Sequence, residues 1–145
     1  MPIRISAVAY QSAPYHDMLA LRRRLLREPL GLVLTQVQLA AERDQVHLAL
    51  WYDDVVAGTL LLVRPDAAGT ARLRQMAVTP PLRGRGLGVA LVRHAETMLR
   101  RLGARRIALS ARETVVGFYE RLGYQVEGER FIEVTIPHLC MARML

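Results

Sequence analysis

The 145-residue sequence contains no lysine, so all 20 of its strongly basic side chains are arginines. That absence excludes a P-loop, whose lysine must follow the last glycine to reach the phosphates. The all-arginine usage itself has no functional explanation in the sequence. Cysteine is nearly missing too: Cys140 stands alone, which rules out an internal disulfide and suits a reducing compartment. Its setting, Leu139-Cys140-Met141, reads as buried core rather than as a nucleophile. No apolar run reaches the length of a membrane span. Met1-Pro2-Ile3-Arg4-Ile5 enters an alternating pattern and lacks the apolar core of a signal peptide. A cytoplasmic protein without membrane contact is therefore expected. Aromatic residues make up only 6%, and few lie among the arginines. The net charge of +7 thus comes without the stacking rings that nucleic-acid binding favours, and no nucleic-acid partner is expected. A positive surface suits a polyanionic small ligand equally well.

What is present is one domain's worth of alternating strands and amphipathic helices, over residues 1–145, without repeats or a linker. Arg4 to Val8 reads as a first strand. Tyr15 to Arg27 sets Leu19, Arg22, Leu25 and Leu26 at helical spacing, with Ser12 or Asp17 near its start and Pro29 and Gly31 to stop it. Arg22-Arg23-Arg24 is expected to form a solvated face of that helix. A shorter helix follows over about Thr35 to Arg43. Val46–Tyr52 and Val55–Val63 flank Asp53-Asp54 as a hairpin, and Arg72–Val78 continues the meander. A longer helix places Leu87, Ala90, Leu91, Ala95, Met98 and Leu102 on one side and ends at Gly103. Arg106–Ala111 is a buried strand and Val115–Leu122 a short helix. Tyr124–Glu129 and Leu139–Met144 are closing strands, with Glu133 to Pro137 between them. The expectation is a mixed, mostly antiparallel α/β (α+β) sheet flanked by helices, in the order β-α-α-β-β-β-α-β-α-β-β.

One junction stands out. The strand Leu73-Arg74-Gln75-Met76-Ala77-Val78 breaks at Thr79-Pro80-Pro81 and runs into Arg83-Gly84-Arg85-Gly86-Leu87-Gly88, from which the long helix departs. Glycines at alternate positions let the main chain approach a bulky anion closely. The helix aims its unpaired N–H groups and positive dipole end at the same place. This builds a pyrophosphate cradle. It is not the dinucleotide turn, which needs a different glycine spacing after the first strand and an acid on the next. Ile107-Ala108-Leu109-Ser110 has none.

Arg83-x-x-Gly86-x-Gly88 after an apolar strand resembles the acetyl-CoA signature of the GCN5-related N-acetyltransferases. Gly117-Phe118-Tyr119-Glu120-Arg121-Leu122-Gly123-Tyr124 resembles that family's second signature, in the expected order and separation. The resemblance is strong over residues 72–126 and looser outside them. It implies the family's fold, and transfer of an acetyl group from acetyl-CoA, as co-substrate and without a metal, to a small-molecule or peptide amine by direct attack in a ternary complex. It also implies a bulge in the strand before the glycine turn, with the main chain of Met76, Ala77 and Val78 on the pantetheine arm and thioester carbonyl. Arg83, Gly84, Arg85, Gly86, Leu87 and Gly88 fall on the pyrophosphate. Tyr119 falls where the family places the acid that protonates the leaving thiolate.

Where many members carry an asparagine seven residues before that tyrosine, this chain has Arg112. Its guanidinium cannot accept a hydrogen bond, but it can reach a cofactor phosphate. Glu133 and His138, in Phe131-Ile132-Glu133-Val134-Thr135-Ile136-Pro137-His138, are candidates to take the proton of the amine, and Glu42 with His47 is a second pair. A non-catalytic acyl-CoA-binding module is the alternative reading. The acceptor and the oligomeric state, a homodimer included, stay open.

Overall fold

The computed structural model describes residues 3–145 and is organised around a seven-stranded sheet of order β1-β2-β3-β4-β5-β7-β6. Its strands are β1 (Ile3–Val8), β2 (Val46–Tyr52), β3 (Val55–Val63), β4 (Thr70–Val78), β5 (Arg106–Arg112), β6 (Gln125–Glu133) and β7 (Ile136–Met144). The helices are α1 (Ala13–Arg22), α2 (Gln36–Ala41), α3 (Leu87–Arg101) and α4 (Val116–Arg121). Every neighbouring pair is antiparallel except β4 and β5, which are parallel because α3 carries the chain back across the sheet. The element order and the mixed sheet are those expected from the sequence.

Local chemistry accounts for the turns and caps. Asp53 and Asp54 both take positive φ (50° and 64°) in the β2–β3 hairpin, a conformation that aspartate tolerates and a two-residue turn requires. Ser12 caps α1 by accepting from the Tyr15 N–H at 3.4 Å. Thr35 and Gln38 close a capping box on α2, each side chain satisfying an otherwise orphaned donor. The first helix departs from expectation. It is regular only to Arg22, widens into a π-helical turn over Arg23–Arg27, then tightens over Glu28–Leu30 and ends at Gly31, φ 68°.

The two faces of the sheet carry different loads. On one, Leu48, Leu60, Leu62, Leu73, Ile107 and Leu109 pack beneath α3, which contributes Leu91, Val92 and Leu99. On the other, Met18 of α1 packs on Ala49 and Leu61. The buried stripe of α3 is turned from the expected one: Val92, Glu96 and Leu99 are inside, whereas Leu102 is 44% exposed. Glu96 is held by Arg93 (2.8 Å), Arg143 (2.7 Å) and the Tyr124 hydroxyl (2.9 Å). Burial raises its pKa, but these three donors outweigh burial and hold the carboxyl below its usual range.

Arg22 requires a correction. It does not lie on a solvated face with Arg23 and Arg24; it is 1% exposed and donates to both Glu42 carboxylate oxygens, at 2.9 and 2.8 Å. Its position on the apolar spacing of α1 turns it inward, and the pair with Glu42 is what makes burial of the charge tolerable. The Glu42–His47 pairing also differs from a carboxylate–imidazole couple. His47 Nε2 donates to the Glu42 main-chain oxygen at 3.0 Å, while its buried Nδ1 meets no partner. Burial, partly offset by that bond and by the Glu42 charge, lowers its pKa. The lowered pKa favours the neutral ring, which is tied to the main chain and not to the Glu42 carboxylate.

The closing strands are longer than expected. β6 and β7 meet at Val134-Thr135, a two-residue turn with φ 46° and 64°, and do not leave a five-residue gap. Pro137 lies inside β7 opposite Ile132, one residue past the last β5–β7 pair, Arg112–His138. No β5 residue faces it there, so its missing N–H breaks no ladder bond.

Candidate active site

The site begins with a defect in β4. β3 runs from Thr59 to Leu61 while β4 runs from Ala77 back to Arg74, so β4 carries an extra residue there. Gln75 absorbs it at φ 57°. Such a bulge bends its strand. Here the parallel ladder to β5 stops at Leu73–Leu109, and β4 and β5 diverge beyond it. β4 continues against β3 alone and β5 against β7 alone. The Thr79 N–H bonds to the Ala57 oxygen at 2.8 Å. Main-chain polar groups alternate sides along a strand, so those of Met76 and Val78 face the gap. Arg83 Nε already donates to the Val78 oxygen there at 3.1 Å.

At the mouth of the gap, Gly84 and Gly86 both take φ 77°, the left-handed region in which glycine costs least. The first helical bond of α3 runs from the Ala90 N–H to the Gly86 oxygen at 3.0 Å. Among the described residues, none of the N–H groups from Gly84 to Gly88 meets an acceptor. A Cβ at Gly84 or Gly86 would touch nothing within 4 Å, whereas one at Gly88 would press on Phe118 at 3.3 Å. Gly88 therefore lets α4 pack against α3, and the other two glycines leave open space over unfilled donors. A pyrophosphate fits that arrangement. Arg85 reaches the Tyr52 hydroxyl at 3.4 Å, and Leu87 anchors the turn in the core.

Tyr119 lies on the α3 side of the sheet, 7% exposed, between Phe118 and Tyr124 at ring separations of 5.0 and 5.8 Å. Its hydroxyl has one neighbour of hydrogen-bonding character, the Met76 sulfur at 4.0 Å. Burial pushes its pKa up to about 12, so the phenol keeps its proton at neutral pH. Met76 joins this side chain to the strand that borders the gap.

His138 and Arg112 lie on the opposite face. They are direct partners across β5 and β7. The His138 ring is 4% exposed and stacks on Phe131. A carbonyl can only accept, so the 2.8 Å contact to the Ile136 oxygen puts the proton on Nδ1. The ring Nε2 lies 3.6 Å from a Glu133 carboxylate oxygen. Glu133 and His138 are thus brought together, away from Glu42 and His47. Arg112 projects from the face opposite the one carrying Tyr119, because Ala111 packs into the α3-side core. A groove of about 370 Å³, lined by Tyr10, Arg43, His47 and Leu102 among others, touches none of Arg112, Tyr119, Glu133 and His138. Among the described residues, no cluster of three or more His, Cys, Asp or Glu suited to a metal is present, and no helix is long and apolar enough to cross a membrane.

Gln75, Arg74 and Arg27 were not singled out from sequence. A signal for Gln75 was available: Arg74-Gln75 sets two polar residues side by side in an otherwise alternating strand, as a bulge does.

Comparison with known proteins agrees with this architecture. The profile of the Acetyltransferase (GNAT) family matches residues 14–124. YyaT of Bacillus subtilis is 29% identical over 140 residues, covering 90% of this chain and 89% of the relative. The uncharacterized N-acetyltransferase YitI of the same organism is 30% identical over 124 residues, covering 79% and 80%. An acyl-CoA N-acyltransferase from Pseudomonas aeruginosa superposes with a TM-score of 0.84 at 23% identity, over 98% of this chain and 99% of that one. An aminoglycoside 6'-N-acetyltransferase in complex with coenzyme A superposes with a TM-score of 0.81 at 16% identity, over 97% and 96%. The chain belongs to the GNAT acetyltransferase family. It is an acetyl-CoA-dependent N-acetyltransferase and transfers an acyl group from a coenzyme A donor.

Proposed function

We propose that this chain acetylates an amine by direct attack, with the donor lying in the β4–β5 gap and the acceptor approaching from the α1 side. The observation that carries this reading is the run of unfilled N–H groups from Gly84 to Gly88 at the mouth of a gap opened by the Gln75 bulge. Acetyl-CoA, when bound, supplies the activated thioester. The glycine turn and the start of α3 hold its pyrophosphate by backbone donors. The main chain of Met76 and Val78 orients the arm, and an N–H aimed at developing negative charge is worth roughly 3–4 kcal/mol in sites of this kind. Because α3 and α4 cover one face, the amine has only the other from which to arrive. Tyr119 delivers a proton to the departing sulfur from the α3 side. His138 Nε2 accepts the proton of the amine from the α1 side, with a Glu133 carboxylate oxygen 3.6 Å away.

Two variants test these roles. Tyr119→Phe keeps the ring in its packing and removes only the hydroxyl that donates the proton. Turnover is expected to fall roughly tenfold or more, with coenzyme A affinity nearly unchanged by calorimetry. Wild-type turnover with chemistry limiting would remove Tyr119 from the mechanism. His138→Gln is expected to lower the rate at saturating amine and to flatten the rise of that rate with pH. A raised Michaelis constant with the profile intact would instead give His138 a role in binding the acceptor.

A further inference from the structure

On the α1 side of the gap the charges do not balance. Arg22 and Arg74 both bind the Glu42 carboxylate, Arg74 at 3.3 Å with a second bond to Gln45 at 2.9 Å. Arg22 Nε also reaches the bulge residue, with Gln75 Oε1 at 3.4 Å, which ties the end of α1 to the rim of the gap. Arg27 sits at the end of the π-helical turn that follows, and its guanidinium donates to the neighbouring Leu26 oxygen at 3.1 Å. Arg112 stands on the other rim. Among the described residues, no carboxylate lies within ion-pair distance of Arg27 or Arg112. Both are half-buried. Burial first, then repulsion from Arg22, Arg112 and Arg74, lowers the pKa of Arg27, and Glu42 is the carboxylate that opposes this. Among the described residues, Glu42 therefore pairs with Arg22 and Arg74 and leaves Arg27 and Arg112 without a carboxylate partner of their own.

Half-buried like charges destabilise a fold unless something compensates them. A π-helical turn is itself uncommon and is frequently found at functional sites. This one carries Arg27 to the rim from which the acceptor must enter. We propose that the acceptor amine bears an anionic group, a carboxylate or a phosphate, which Arg27 and Arg112 bind on the α1 side of the gap. The two guanidinium groups offer planar donor pairs matched to either anion. Cationic acceptors such as polyamines and aminoglycosides are disfavoured by the same field. The inference rests on the N-acetyltransferase reading for the direction of approach, while the anion pocket can be tested apart from it.

Protein saturated with coenzyme A would be titrated with malonate and with inorganic phosphate, for wild type, Arg27→Gln and Arg112→Gln. In parallel, acetyl transfer would be compared within matched pairs: amino acids against their amides, and phosphoethanolamine against ethanolamine. At least one anion is expected to bind saturably and at least tenfold more weakly to each variant. Which anion binds tells a carboxylate from a phosphate acceptor. The anionic member of the productive pair should show a Michaelis constant at least tenfold below its neutral partner, an advantage both variants lose. Each variant should melt no lower than wild type, since a repulsive charge has gone. Anion binding that is absent, or equal in all three proteins, overturns the pocket, as does a variant that melts several degrees lower. If Arg112→Gln weakens coenzyme A and spares the anion, the arginine belongs to the donor side and the pocket as drawn is wrong. Loss of anion binding in both variants with no amine acetylated would sustain the pocket and overturn the proposed transfer. Fast turnover of neutral amines, untouched by either variant, would do the reverse.

Discussion

Replacing Gly86 by aspartate is expected to weaken coenzyme A binding roughly a hundredfold or more while the protein still folds. Gly86 caps α3 at φ 77°, and nothing lies within 4 Å of the point where its Cβ would stand. Steric clash within the protein is therefore not the cause. The left-handed backbone costs a non-glycine residue on the order of 1–3 kcal/mol, and a carboxylate at a helix N-terminus recovers part of that. The effect on binding comes from charge. Two like charges about 4 Å apart repel by about 4 kcal/mol at an effective dielectric near 20, and ~2.8 kcal/mol is already a hundredfold. Gly86→Ala separates the contributions, because it adds the strain without the charge and should bind far better than the aspartate variant. Calorimetry on both, with melting curves to show that they are folded, decides the matter. An aspartate variant with wild-type affinity would place the pyrophosphate elsewhere.

The largest loss of stability is expected from Glu42→Ala. The carboxylate is 3% exposed and neutralises an Arg22 side chain with 1% exposure. Removing it leaves a buried guanidinium with two donors unmet, which costs about 3–5 kcal/mol in comparable pairs. For a domain of this size, each kilocalorie shifts the melting temperature by roughly 2–4 °C, so a fall of about 10 °C is expected. A double variant, Arg22→Met with Glu42→Leu, should recover much of the loss, because a buried ion pair is often no better than apolar residues of similar volume. If the single variant melts within a degree or two of wild type, Arg22 has found water or another acceptor and its burial means less than the geometry indicates.

Local patterns made much of this molecule legible in advance. The β2–β3 hairpin follows from alternation on either side of Asp53-Asp54, and the glycine turn follows from Gly84, Gly86 and Gly88 between a strand and a helix. Both depend on chemistry within a few residues. What escaped depends on where distant segments meet. Arg22 occupies an apolar position of α1, but that it is buried is settled by Glu42, 20 residues on. Glu96 sits on the inner stripe of α3 because Arg143 and Tyr124 arrive from other elements to meet it. The Glu133–His138 contact likewise needed the tight Val134-Thr135 turn, and β-branched residues at positive φ are not what local preference suggests. Arg112 stands as one arginine in place of an asparagine, and Arg27, whose charge it meets, comes from another part of the chain.

The divergence of β4 from β5 also bears on how the protein holds together. Strands β1 to β4 form one antiparallel panel and β5 to β7 another. Among the described residues the two are joined in the sheet only by the ladder of Thr70–Leu73 with Arg106–Leu109. The seam is the shortest ladder in the sheet, four residue pairs long. So short a ladder is the first part of the sheet to open, and its amides should exchange with solvent ahead of those within either panel. A molecule that hydrogen-bonds to both rims extends that ladder. It acts as an eighth strand of sorts, and occupancy then tightens the panels against each other by mass action alone.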